Sequence, residues 1–135
     1  MNILVVEYNP DSRKKMELIV SELGNYNIVD SGSAALDAFD NAWKDGFTFD
    51  VIFLDLSTPD MDGIDVLKNI RFLEKVRKLS KDAQAKILMM ASNSDRETVV
   101  ACLESGCDNY IIKPVDKELV TDKLKHLGFQ IGTWS

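Results

Sequence analysis

The sequence predicts an α/β domain, a doubly wound parallel sheet of five strands with helices on both faces. Three observations predict it. Short apolar runs without alternation, ILVV at 3–6, VIFL at 51–54 and ILMM at 87–90, read as strands covered on both sides. Between them, apolar residues recur at the i, i+3, i+4, i+7 spacing of a helix with one buried face. The two kinds of segment alternate along 135 residues, a length that suits one domain with a sizeable core.

Asn2 to Val6 is the first strand. A helix follows from Pro10 to Leu23, with Met16, Ile19, Val20 and Leu23 on one face, and Gly24 ends it. Tyr26 to Val29 is a short second strand, after which Ser31 or Ser33 caps a helix that buries Ala35, Ala38, Phe39 and Ala42, its end covered by Trp43. Phe49 to Leu54 is the third strand. Gly63 closes the next loop, and the third helix runs from Ile64 to about Leu79 on a stripe of Val66, Leu67, Ile70, Leu73 and Val76. Lys86 to Met90 is the fourth strand, and Asp95 caps a helix carrying Val99, Val100 and Leu103 that stops at Gly106. Asn109 to Ile112 is the fifth strand, and Asp116 caps a last helix through Leu119, Val120, Leu124 and Leu127, ended by Gly128. This divides the chain into a domain at 1–127 and a tail at 128–135. For the tail's Phe129, Ile131 and Trp134 three placements stay open: folded back on the domain, docked on a partner, or the start of a linker.

A formal charge of −6 and a pI near 4.7 argue against direct contact with a nucleic acid backbone. The basic residues Arg71, Lys75, Arg77, Lys78 and Lys81 read as a solvated helix face, with a partner epitope as the alternative. No stretch approaches the roughly 20 apolar residues that span a bilayer, and Met1 leads directly into a strand without a leader pattern, so a cytoplasmic location is expected. Cys102 and Cys107 lack a CxxC or Cys/His context and read as reduced packing thiols.

The chemistry gathers where strands end. The third strand delivers Asp55 to the loop STPDMDG, the first runs into Glu7, and the fifth into Lys113 and Pro114. Ligands of open α/β sheets collect at the strands' carboxyl ends. Two carboxylates and an ammonium brought together there suit a divalent cation and a phosphoryl group. The bland alternatives are an Asp that starts a turn and a surface lysine before a proline.

The three segments ILVVE, VIFLDLSTPDMDG and GCDNYIIKP, in that order among five strand–helix units, resemble the response regulator receiver domain, and the resemblance covers the chain to about Leu127. It implies a flavodoxin-like fold with strand order 2-1-3-4-5, similar to stand-alone chemotaxis-type or sporulation-type regulators. It also implies that Asp55 is the phosphoacceptor for a histidine kinase or phosphotransfer protein, with Mg2+ held by Glu7, Asp55 and the backbone carbonyl of Ser57. Lys113 would grip a phosphoryl oxygen. The protein would then be no enzyme beyond autocatalytic phosphoryl acceptance and slow autodephosphorylation. Its downstream protein target would bind the face from Asp95 to Leu127, with no DNA-binding helix-turn-helix after Leu127 and no membrane contact.

Two departures stand out. Receivers carry an acidic pair after the first strand, and here it is Glu7 and Tyr8. A phenol that ionises near pH 10 is a poor metal ligand, so Mg2+ affinity should fall unless Asn9, Asp11 or Asp60 bends inward. Counting back from Lys113 puts Ala91 where the family places a switch hydroxyl, with Ser92 on the opposite face of an extended chain. Tyr110 holds the aromatic switch position, or is only a half-buried strand aromatic. The third helix and its following loop are also longer than usual. A pseudo-receiver that binds proteins without phosphorylation is therefore the alternative. A haloacid dehalogenase-type phosphatase would need an Asp where Ser57 stands, and a flavodoxin-like cofactor binder would need a Gly-rich loop where EYNPDS stands.

Overall fold

The computed structural model describes residues 1–131. Five parallel strands, β1 (Asn2–Val6), β2 (Asn25–Val29), β3 (Val51–Asp55), β4 (Lys86–Ala91) and β5 (Asn109–Ile112), pair in the order β2-β1-β3-β4-β5. Five helices alternate with them: α1 (Pro10–Val20), α2 (Gly32–Lys44), α3 (Gly63–Val76), α4 (Arg96–Glu104) and α5 (Lys117–His126), with a 3-10 turn at Lys81–Ala83.

Strand side chains alternate between two cores. Leu4, Val6, Ile52, Leu54, Ile87 and Met89 meet α2, α3 and Cys102 of α4, whereas Ile3, Val5, Val51, Phe53, Leu88 and Met90 meet α1 and α5. The unbroken apolar runs are thus explained, because both faces of the central strands are buried. Phe129 and Ile131 pack against the α1/α5 core, as a folded-back tail requires. Trp134 lies outside the described residues.

Helix starts follow the capping residues. Asn9, Ser31, Asp62, Asp95 and Asp116 each accept a hydrogen bond from a backbone N–H of the first turn. Ser31 therefore caps α2 and Ser33 does not. Gly63 is the first residue of α3 rather than a loop end, and a Cβ there would lie 2.6 Å from the Asp55 carbonyl oxygen, so only glycine permits this close approach of chain to chain.

Four helices end in one motif, a left-handed residue flanked by two reverse hydrogen bonds. In α2, α4 and α5 that residue is Gly46, Gly106 or Gly128, and in α3 it is Lys78 at φ 54°. The motif stops α3 at Val76 instead of Leu79. Similarly α1 ends at Val20, short of Leu23, and α5 at His126. β2 starts one residue earlier than expected, at Asn25, while β3 starts at Val51 because buried Phe49 lies before the ladder. β4 reaches Ala91.

Two helix faces differ from their apolar stripes. Val76 is 58% exposed, since α3 turns Glu74 (2%) inward there. In α4 the buried residue is Cys102, and Val100 and Leu103 lie open to solvent. Trp43 is half exposed and lies beneath the Arg77 guanidinium, 4.8 Å from the ring centroid.

Candidate functional site

Strand order decides which strand ends meet. β1 and β3 are neighbours, so Glu7 and Asp55 emerge side by side; β5 is one strand removed, with β4 between. β4 ends there in Ala91, a methyl, and Lys113 reaches across to both carboxylates. Its Nζ lies 3.0 Å from Glu7 Oε1, 2.8 Å from Glu7 Oε2 and 3.1 Å from Asp55 Oδ2. Glu7 is fully buried and Asp55 nearly so. Asp55 Oδ1 also accepts the Ser57 N–H at 3.0 Å, which fixes the carboxylate's rotation.

Burial pushes the Glu7 carboxyl above its ordinary range; the Lys113 hydrogen bond pulls it back, and the Asp55 charge adds to the rise. For Lys113, burial works to lower the ammonium, but the bond to Glu7 and the charges of Asp55 and Glu7 outweigh it and hold it above its usual value. Lys113 is therefore a permanent cation set between two acids. The Lys113–Pro114 peptide is cis.

An open hollow lined by Glu7, Tyr8, Asn9, Asp55, Ser57, Ala91, Ser92 and Lys113 sits over these groups. Ser92 lines it because strand alternation no longer applies past the end of β4. Tyr110 is half buried against the α2–α4 core, and its hydroxyl donates to the Asn93 carbonyl at 2.9 Å. Burial raises that phenol's pKa.

The residues considered as substitutes for a second acid are engaged or remote. Asn9 caps α1, and Asp11 is an exposed residue of its first turn. Asp60 accepts from the Ser33 and Gly32 N–H groups at 2.9 and 2.8 Å, which lowers its pKa to about 2 and clamps the loop after β3 to the start of α2. Tyr8 is 56% exposed. Among the described residues no three His, Cys, Asp or Glu side chains cluster as a metal site. The donor set that remains for a cation is two carboxylates and the Ser57 backbone, open to water. Glu7 Oε2 lies close to Lys113 Nζ but off the hydrogen-bonding direction, leaving one buried oxygen short of a partner. This set fits a hard divalent ion that keeps much of its water, with fewer protein oxygens than an acidic pair would give.

Sequence reasoning missed a second charged cluster. Arg71 of α3 binds Glu74 at 2.7 Å, Asp108 at 2.8 Å and the carbonyls of Ala85 and Gly106. Its only signal was a basic residue three positions before an acid on one helix. The two cysteines are free and buried; burial above all raises the thiol of Cys107 to about 12, so both remain packing residues.

A parallel sheet of this order, with a lysine clasping two strand-end acids, defines the receiver class of signalling domain. The chain matches the family model described as "Response regulator receiver domain" over residues 3–125, and it belongs to that family. It is 32% identical over 126 residues to chemotaxis protein CheY-3 of Vibrio cholerae, covering 92% of this chain and 88% of that protein. It is 31% identical over 127 residues to hybrid signal transduction histidine kinase L of Dictyostelium discoideum, covering 93% of this chain and 7% of that protein. Among solved structures, the CheX-CheY-BeF3-Mg+2 complex from Borrelia burgdorferi superposes with a TM-score of 0.78 at 26% identity, covering 96% of this chain and 90% of that one. The protein is thus a receiver domain of two-component signalling. No helix among the described residues is long and apolar enough to cross a membrane.

Proposed function

We propose that Asp55 accepts a phosphoryl group from a histidine kinase or phosphotransfer protein. The observation that carries this reading is the Lys113 ammonium held 3.1 Å from an Asp55 carboxylate whose other oxygen is fixed by the Ser57 N–H. An Asp55 oxygen attacks phosphorus, the bond from phosphorus to the donor imidazole nitrogen breaks, and an acyl phosphate forms while the imidazole leaves with its proton. Two anions must approach for this. A unit charge pair at 4 Å is worth about 4 kcal/mol at an effective dielectric of 20, so Lys113 removes a repulsion of that order. Glu7, Asp55 and the Ser57 carbonyl would hold Mg2+, which supplies the remaining neutralisation when bound; Tyr8 leaves that affinity low. Attack of water on the phosphorus then breaks its bond to the Asp55 oxygen, releases inorganic phosphate and regenerates the carboxylate, a slow autodephosphorylation.

Output passes through protein contacts. Val100, Leu103 and Ile112 are 40, 49 and 45% exposed along α4 and β5, an apolar face suited to a target protein.

A pseudo-receiver is the second reading, favoured by the exposed Tyr8 and the methyl of Ala91 in the hollow. Intact mass after incubation with acetyl phosphate and magnesium, beside Asp55→Asn, separates the two. Gain of one phosphoryl group by the parent alone is expected. No gain, even from a phosphohistidine donor, would leave the pseudo-receiver.

A further inference from the structure

The C-terminal half of α3 carries a surface that the phosphoacceptor site does not use. Phe72 and Val76, one helical turn apart, are 63 and 58% exposed. Lys68 and Lys75 lie four residues before and three after Phe72, so both border the ring. Lys78 and Lys81 continue the cationic edge past the helix end. Residues 68–81 contain six of the chain's 16 basic residues and one of its 22 acids. Arg71 and Arg77 are spent on Glu74, Asp108 and Asp40, whereas the four lysines form no ion pair among the described residues.

Lysines at a helix C-terminus complement the helix dipole, and this alone would explain Lys75. It does not explain an exposed Phe and Val between them, nor Lys78. That lysine sits at φ 54°, in the position where the other three helices with this ending carry glycine. A side chain kept at a backbone position that favours glycine points to a use for its charge.

We propose that this face binds an acidic segment of a partner protein, an apolar side chain seated on Phe72 and Val76 and carboxylates meeting Lys68, Lys75, Lys78 and Lys81. Charge complementarity selects the partner: a strongly acidic molecule offers one concentrated basic face, and that face has an apolar centre. An extended anionic surface, such as a membrane, would also confront the acids that dominate the rest of the chain. Phe72 lies about 14 Å along the helix from Gly63, so occupancy here leaves Asp55 accessible.

The test is an amide chemical-shift titration of the full chain with a synthetic Glu-rich helical peptide bearing two leucines one turn apart, beside the same peptide with serines. Shifts confined to residues 68–81, present with leucine and lost with serine, are expected. Lys75→Glu with Lys68→Glu should weaken binding about tenfold, two exposed ion pairs' worth. Lys78→Gly should raise thermal stability and still weaken binding, a combination that a purely architectural lysine would not give. Equal shifts with both peptides, no shifts in 68–81, or sedimentation with phosphatidylglycerol vesicles in place of peptide binding would each overturn the proposal. Because Phe72 and the lysines are exposed, the variants should keep the parent's circular dichroism.

Discussion

At each end of the sheet one cation lies between two carboxylates, and the two arrangements differ in what is left over. At the amino ends of β4 and β5, Arg71 spends its donors on Glu74, Asp108 and the carbonyls of Ala85 and Gly106. Glu74 in turn accepts the Ala85 N–H at 2.7 Å, and Asp108 the Ile87 N–H at 2.8 Å. Each carboxylate is thus paired with the cation and with a backbone N–H, and Glu74 is buried, while Arg71 and Asp108 keep 20 and 26% of their side chains exposed. At the carboxyl ends, Lys113 offers a compact ammonium to Glu7 and Asp55, and the carboxylates face an open hollow with bonding capacity to spare. A planar guanidinium with five donors suits a closed knot; a mobile ammonium can follow an incoming phosphoryl oxygen. A cation between two acids thus closes a structural knot where its carboxylates are otherwise paired, and leaves room for a ligand where a carboxylate oxygen is not.

The largest expected effect would break the comparison at the knot. Arg71→Ala leaves buried Glu74 without its cation and should cost on the order of 3–5 kcal/mol in urea unfolding. Phosphoryl uptake by the folded fraction should be unchanged. Lys113→Ala should slow uptake from acetyl phosphate by about 100-fold, as loss of one charge contact to a reacting group does, and should cost less stability than Arg71→Ala because the hollow admits water to the carboxylates it leaves. A larger change in its unfolding midpoint than that of Arg71→Ala would show that both ends are architectural.

Smaller effects sharpen the contrast. Tyr8→Asp adds a carboxylate to the open end and should raise Mg2+ affinity about tenfold by calorimetric titration, one added charge contact of roughly 1.4 kcal/mol. The smallest effect concerns Asp60, whose pKa falls from 3.8 to about 2 through the Ser33 and Gly32 N–H groups. A depressed carboxyl pKa stabilises the fold above the unfolded value and ceases to as pH falls through the folded one. The parent should therefore lose thermal stability between about pH 4 and pH 2, and Asp60→Asn should flatten that part of the profile.

Much of the site was legible because each strand-end residue follows its own apolar run. Glu7, Asp55 and Lys113 needed only local periodicity to be placed at the sheet's carboxyl edge. The Arg71 knot was not legible, since Arg71, Ala85 and Asp108 come from separate elements whose meeting depends on the strand order. Val76 was misassigned to the core because periodicity selects a face but cannot reveal that Glu74, apolar in no scale, turns inward when a cation and an N–H await it. Asp60 was a candidate for the metal because composition shows a carboxylate without showing that α2 begins beside it.

The sequence by itself determined the alternation of strands and helices, the Asp95 and Asp116 caps and the three charged residues at the strand ends. These depend on neighbours within a turn or a strand, where hydrophobic spacing and backbone bonding act directly. The tertiary structure alone decided that Lys113 crosses β4 to clasp both acids, that Asp60 is drawn to α2, and that Phe72 and Val76 stay in water. Each outcome rests on long-range pairing, because a charge or a ring takes the best partner that folding brings within reach, and sequence distance does not say which that will be.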